Sequence, residues 1–305
     1  MTVLRDPDSS VLGSSSNTLR QQRLSEAPGG PGVVLALGGG FSRGFAHLGV
    51  IEVLEQERIP IAGIVGTSIG SLLGAAFADG ITVRELCDLG RPVRIRDFLR
   101  FRKSQPEAQK NDRIGQFVRE WFHSSCIEKL AIPTAIVATD LDTCAPYVFK
   151  RGPLDVAIRA SCAFPGLFEP VEYEGRTLAD GCIVAPVPTV AAARMSLGLV
   201  LGVAVNSGVG TAHFAGSTSP ISREAAQKSS GAKPVPSWVR AADVMVEPDV
   251  HEIGWSDFSR VDEAHAAGAE AMRRALPYLQ HLLSREGAAK STAATFRAVE
   301  SRMAS

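Results

Sequence analysis

Apolar residues in this chain fall into short continuous runs, separated by stretches in which they recur at helical spacing. The runs Val33 to Leu37, Ile61 to Val65, Thr134 to Thr139, Tyr147 to Phe149, Val171 to Tyr173, Leu199 to Val205 and Val244 to Val246 are short and mostly β-branched or aromatic, which predicts strands. Between them, Ala46, Val50, Val53 and Leu54 share one helical face, and Ile69, Leu72, Leu73, Ala76 and Phe77 share another. Further helices are expected over Asp112 to Phe122, Leu154 to Cys162 and about Asp262 to Ser284, the last kinked or broken at Pro277. Strands alternating with helices imply an α/β fold, a mainly parallel central sheet flanked by helices on both faces.

The ends and one internal stretch break this pattern. Residues 1–31 hold Ser, Gly, Gln, Arg and Pro without an apolar run and are expected to be a disordered N-terminal tail. Residues 32–285 form the expected folded domain, with a Gly-, Ser-, Ala- and Pro-rich surface loop at 208–236, and residues 286–305 a C-terminal tail. The first residues lack the hydrophobic core of a signal peptide, and no segment reaches about 18 uninterrupted apolar residues. The expected location is therefore cytoplasmic, with peripheral contact at a membrane as an option.

Composition narrows the partners. The chain has 305 residues, 45% hydrophobic and 21% charged, as in an ordinary soluble globular protein long enough to bury a substantial core. Its formal net charge of zero argues against nucleic acid as a main partner. Cys87, Cys126, Cys144, Cys162 and Cys182 form no C-x-x-C and have no histidine pair nearby, so neither a metal site nor a disulfide framework is expected. The segment Arg91 to Lys103 sets six basic residues against Asp97 alone, interleaved with Val93, Ile95, Phe98, Leu99 and Phe101. That mixture suits either a solvated basic face or contact with anionic lipid headgroups. Oligomeric state is open, a homo-oligomer included.

The chemistry concentrates in two glycine-containing turns. Gly66-Thr67-Ser68-Ile69-Gly70 fits G-x-S-x-G between a strand and a helix, the setting of a nucleophile elbow. Such a turn lifts Ser68 clear of the backbone, needs small residues at Gly66 and Gly70, and aims the Ile69 amide at whatever the serine attacks. Upstream, Gly38-Gly39-Gly40 ends the first strand; its spacing misses the dinucleotide and P-loop patterns, and its amides suit an oxyanion hole. Arg43, at the loop-to-helix junction, is placed to hold backbone carbonyls or a phosphate headgroup.

With Gly38-Gly39-Gly40-Phe41-Ser42-Arg43-Gly44 and Gly66-Thr67-Ser68-Ile69-Gly70 go Ala160-Ser161-Cys162-Ala163-Phe164-Pro165-Gly166 and Leu178-Ala179-Asp180-Gly181. In this order the four motifs resemble the patatin-like phospholipases, over roughly Val33 to Leu201. The resemblance implies a three-layer patatin-like architecture and a serine acyl hydrolase acting on phospholipid, lysophospholipid or another lipid ester. It implies a dyad of Ser68 as nucleophile and Asp180 as proton acceptor, with Gly181 turning the chain away, and no metal or organic cofactor. Cys182 and Cys144 depart from the family pattern, and Cys182 is close enough in sequence to the dyad to disturb it or make it oxidation-sensitive. Three alternatives stay open: a Ser68, Asp180 and His251 triad in the α/β-hydrolase order, an acyltransferase, and a scaffold with little turnover. His47 is expected to be a core residue, Ser161 and Pro165 a supporting helix end, and Asp140 and Asp142 turn residues.

Overall fold

The computed structural model describes residues 32–93, 112–205 and 237–303, with side chains described as far as residue 287. The expected tail at 1–31, the loop at 208–236 and most of Arg91 to Lys103 lie outside the described residues. In order, the elements are β1 (Val33–Leu37), a 3-10 turn at Phe41–Phe45, α1 (Ala46–Gln56), β2 (Ile61–Thr67), α2 (Ile69–Ala78), α3 (Val83–Gly90), α4 (Asp112–Trp121), β3 (Thr134–Asp140), β4 (Ala145–Phe149), α5 (Leu154–Ser161), β5 (Val171–Tyr173), β6 (Arg176–Asp180), α6 (Thr189–Ala193), β7 (Leu199–Val203), α7 (Ser237–Arg240), β8 (Val244–Val246) and α8 (Val261–Met303).

All eight strands form one sheet. The run β3-β2-β1-β7-β8 is parallel, whereas β4 and β6 pair antiparallel with β3, and β5 pairs antiparallel with β6. β1 is buried at every residue because both faces are covered: Val33, Leu35 and Leu37 enter the large core under α1, α2 and α8, and Val34 and Ala36 a smaller one that includes Ala192 of α6. This alternation explains why β1 reads as an unbroken apolar run. The structure is thus the expected α/β arrangement with a mainly parallel sheet and helices on both faces.

The last helix is not broken at Pro277 and is longer than expected. α8 continues through Pro277, past Ser284 and the span expected to be a tail, to Met303. Proline removes one amide bond to the Arg273 carbonyl, but Met272 and Leu279 on either side are fully buried, so packing holds the helix together. Arg91, the first of the basic segment, is engaged in ion pairs with Asp262 and Asp88, and Val93 packs against the core. No helix among the described residues is long and apolar enough to cross a membrane.

β3 carries the positional information for the site. At Ile136 its partners are Gly66 of β2 and Phe149 of β4; at Ala138 they are Asp180 of β6 and Tyr147 of β4. A residue can pair with only one strand on each edge, so β4 occupies one edge, and β2 and β6 share the other end to end. Thr67 pairs with Val137 and Asp180 with Ala138, one residue on. The carboxyl of Asp140 closes the far end of β3: it accepts from the Asp142 and Thr143 amides at 3.0 and 3.1 Å and pairs with the Arg176 guanidinium on β6.

Burial pushes the Asp140 carboxyl up, but the Arg176 bond and the two amides outweigh this and hold it below the ordinary 3.8. Its charged form therefore contributes stability above pH 3.8, which is lost as pH falls through the lowered value. Asp140→Asn should be less stable than the native chain at neutral pH, and denaturant midpoints should converge as pH falls below that range. A gap that stays constant with pH would show that the carboxylate charge is not what holds this turn.

Candidate active site

The serine turn is built where β2 meets α2. Ser68 has φ 53° and ψ −128°, a conformation that residues with a side chain rarely adopt and that costs about 1–3 kcal/mol. The strand and helix pass so closely that a Cβ on Gly66 would lie 2.3 Å from Ser71 Cα, and one on Gly70 2.3 Å from the Leu37 carbonyl oxygen. Hydrogen bonds hold the strained residue on both sides. The Ser68 carbonyl accepts from Ser71 Oγ at 2.6 Å, and the Ser68 amide donates at 2.8 Å to Ser161 Oγ at the end of α5. Ser161 in turn donates to the Val137 carbonyl at 2.7 Å, tying the elbow to β3.

Asp180, at the end of β6, is fully buried. Ser68 Oγ donates to its Oδ2 at 2.7 Å, and the Cys182 amide to its Oδ1 at 2.8 Å. Its own backbone is fixed by Thr139 Oγ1 donating to its carbonyl at 2.8 Å and by its amide donating to Ala163 at 3.0 Å. Burial raises the carboxyl above its ordinary 3.8, opposed by the hydrogen bonds from Cys182 and Ser68. A carboxylate kept short of water in this way is a stronger base toward a neighbouring hydroxyl than an exposed one.

The glycine loop faces the same point, but its amides are not equivalent. Gly38 donates to the Val203 carbonyl and Gly39 to the Pro186 carbonyl, each at 3.1 Å, whereas the Gly40 and Ile69 amides have no such carbonyl partner among the described residues. Of the four amides expected to form an oxyanion hole, two are thus already engaged. His47 Nε2 donates to the Gly38 carbonyl at 2.7 Å from beneath the loop, while its Nδ1 is buried without a partner. Burial lowers the ring's pKa to about 4, so it is a neutral core residue, as expected. Arg43 donates from Nε to the Ile253 carbonyl at 2.7 Å and from a terminal nitrogen to His251 at 3.3 Å. It pins the 251–253 segment to the loop, which is the carbonyl-holding role.

Other candidates sit apart from this arrangement. His251 is about 70% exposed and its ring lies against Asp249 and Glu252, while Ser68 reaches Asp180 with no imidazole between. Asp140 serves the turn after β3, and no group of three or more His, Cys, Asp or Glu among the described residues is arranged to hold a metal. Cys182 is nearer than sequence suggested, since a Cβ on Gly39 would fall 2.0 Å from its Sγ. Burial first, then the Asp180 charge, raises its pKa well above the ordinary 9.0, and Cys162 is raised by the same two causes. Thiols react as thiolates, so both are held in the unreactive form. Sequence places Ser161 at a helix end but does not show its bond to the Ser68 amide; the adjacency of its motif to Asp180 in chain order was the one signal.

The patatin-like phospholipase family model matches residues 35–193. An uncharacterised NTE family protein of Mycobacterium tuberculosis is 40% identical over 179 residues, 58% of this chain and 49% of that protein. Patatin-like phospholipase domain-containing protein 6 of Mus musculus is 29% identical over 198 residues, 61% of this chain and 14% of that protein. The chain therefore spans half or less of the length of these relatives. Among solved structures, VipD from Legionella pneumophila aligns over 82% of this chain and 67% of its own, with a TM-score of 0.48 and 15% identity. With a match that takes in both glycine turns and Asp180, the chain belongs to the patatin-like phospholipase family.

Proposed function

We propose that the chain is a serine acyl hydrolase that cleaves carboxyl esters of lipids, phospholipid or lysophospholipid, with Ser68 as nucleophile and Asp180 as its base. The 2.7 Å hydrogen bond from Ser68 Oγ to Asp180 Oδ2 carries this reading. As Oγ attacks the ester carbonyl, its proton passes along that bond to the carboxylate. The carbonyl oxygen becomes an oxyanion at the start of α2, where the Ile69 amide, the Gly40 amide and the positive end of the helix favour negative charge. Collapse of the tetrahedral intermediate expels the alcohol, which takes the proton from Asp180, and leaves an acyl group on Ser68. Water then attacks the acyl carbonyl while giving a proton to Asp180, and fatty acid leaves as the proton returns to Ser68. No step needs a metal or organic cofactor. Gly38 and Gly39 shape the loop, and Arg43 and Ser161 are positioning residues.

Hydrolysis of a lysophospholipid and of a short-chain aryl ester should fall by about a thousandfold or more in Ser68→Ala and in Asp180→Asn. Turnover surviving in Asp180→Asn would remove the carboxylate from the mechanism. Because burial raises the Asp180 carboxyl above 3.8 and only the ionised form accepts a proton, kcat/KM should rise with pH through an apparent pKa above that value. A rate independent of pH across the acid range would contradict this assignment. Ser161→Ala should lower kcat about tenfold or more with little change in KM, because it frees the amide of a strained nucleophile; Ser161→Thr, which keeps the hydroxyl, should recover part of the loss. A purely structural residue would instead lower the thermal midpoint with no such split.

A further inference from the structure

The residue after the glycine loop carries an unexplained cost. Phe41 has φ 50°, in the left-handed region that favours glycine, yet it is a bulky aromatic. Its ring makes edge contacts with Phe164 at 5.4 Å and with Trp255 at 5.1 Å between centroids. Packing of a buried core would account for the strain, but Phe164 and Trp255 are 40% and 47% exposed. The Phe41 ring thus touches two others, and all three are left partly in water.

Their place in the chain gives this surface its meaning. Phe41 follows Gly40, whose amide is one of the candidate oxyanion donors. Phe164 follows Ala163, whose carbonyl fixes the Asp180 amide. Trp255 is drawn to the loop by its carbonyl, which accepts from the Ser42 amide at 3.1 Å and from Ser42 Oγ at 2.9 Å. Ile183, 51% exposed, lies just beyond Asp180 on the following turn. None of these side chains carries a charge, and Arg43, the cation next in sequence, is directed to the His251 and Ile253 carbonyls. An anionic headgroup has no ion-pair partner among these side chains, whereas an alkyl chain matches the exposed aromatic area; a quaternary ammonium also stacks on aromatic faces, and the headgroup-free esters below separate the two.

We propose that Phe41, Phe164 and Trp255 form the subsite that receives the acyl chain of the ester whose carbonyl is attacked by Ser68. This rests on the reading of Ser68 as the acylated nucleophile. The left-handed backbone at Phe41, next to Gly40, comes with a ring in edge contact with Phe164 and Trp255, and the three together offer the apolar surface.

The test compares p-nitrophenyl acetate with p-nitrophenyl decanoate, both kept below aggregation. Since each methylene taken out of water is worth about fourfold, the decanoate-to-acetate ratio of kcat/KM should fall about tenfold or more in Phe41→Gly, Phe164→Ala and Trp255→Ala. Phe41→Gly should also hold or raise the thermal midpoint, because glycine relieves the left-handed backbone; a ring needed only for packing would lower it. A ratio unchanged in all three variants would overturn the proposal. So would a loss confined to vesicle binding with chain-length selectivity intact, which would make the rim a membrane contact instead. Binding is read separately in Ser68→Ala, where monomeric 1-decanoylglycerol, which carries no quaternary ammonium, should shift tryptophan emission to the blue and Trp255→Phe should remove the shift. If the shift is seen but the native chain hydrolyses no ester, the hydrolase reading fails and the rings are an alkyl-chain site without that chemistry; hydrolysis with no shift and an unchanged ratio keeps the hydrolase reading and overturns the subsite.

Discussion

One strand edge sets the distance on which the site depends. β2 and β6 meet end to end along β3, so the serine that follows Thr67 and the carboxylate paired with Ala138 are brought together by backbone registry. Side-chain flexibility has little to do with it. The Ser68 amide is tied through Ser161 to Val137, and the Asp180 carbonyl to Thr139, so both residues are fastened to alternate residues of the same strand. A slip of β6 by one residue would turn Asp180 to the opposite face of the sheet.

That arrangement is held at a cost elsewhere in the fold. Ser68 adopts a backbone conformation that residues with a side chain rarely take, and Asp180 is buried where its charged form is disfavoured. Both are tolerated because the surrounding elements over-determine them: β1 and β2 are buried on both faces, and α1, α2 and α8 close the large core against the strand ends. The two thiols near Ser68 and Asp180 fit the same picture. Cys182 fills space against Gly39 and is kept protonated by burial and by the carboxylate beside it.

Much of this was readable from residue order. Continuous apolar runs marked β1, β2, β3 and β8 because buried strands leave little room for polar residues, whereas β5 was marked by Val171 and Tyr173 on either side of the exposed Glu172. The elbow, glycine loop and Asp180-Gly181 were legible as motifs, since each needs particular small residues at a tight turn. What sequence did not reveal were the contacts made at long range. The separate fates of the Gly38, Gly39 and Gly40 amides depend on Val203 and Pro186, more than a hundred residues away. The grip of Ser161 on the elbow depends on where α5 ends over β3. Pro277 reads as a helix breaker, yet buried Met272 and Leu279 carry α8 past it. Trp255 had no motif around it, and its role at the rim follows only from the fold that brings it to Phe41.

The central claim is that a carboxylate alone arms the serine, with no imidazole between them. Its most direct measurement is covalent labelling by a fluorophosphonate, with the modified residue located by mass spectrometry in the native chain, Asp180→Asn and His251→Gln. The account predicts a single adduct on Ser68 that forms at the native rate in His251→Gln and is lost in Asp180→Asn. Labelling that survives in Asp180→Asn, or that disappears in His251→Gln, would contradict it.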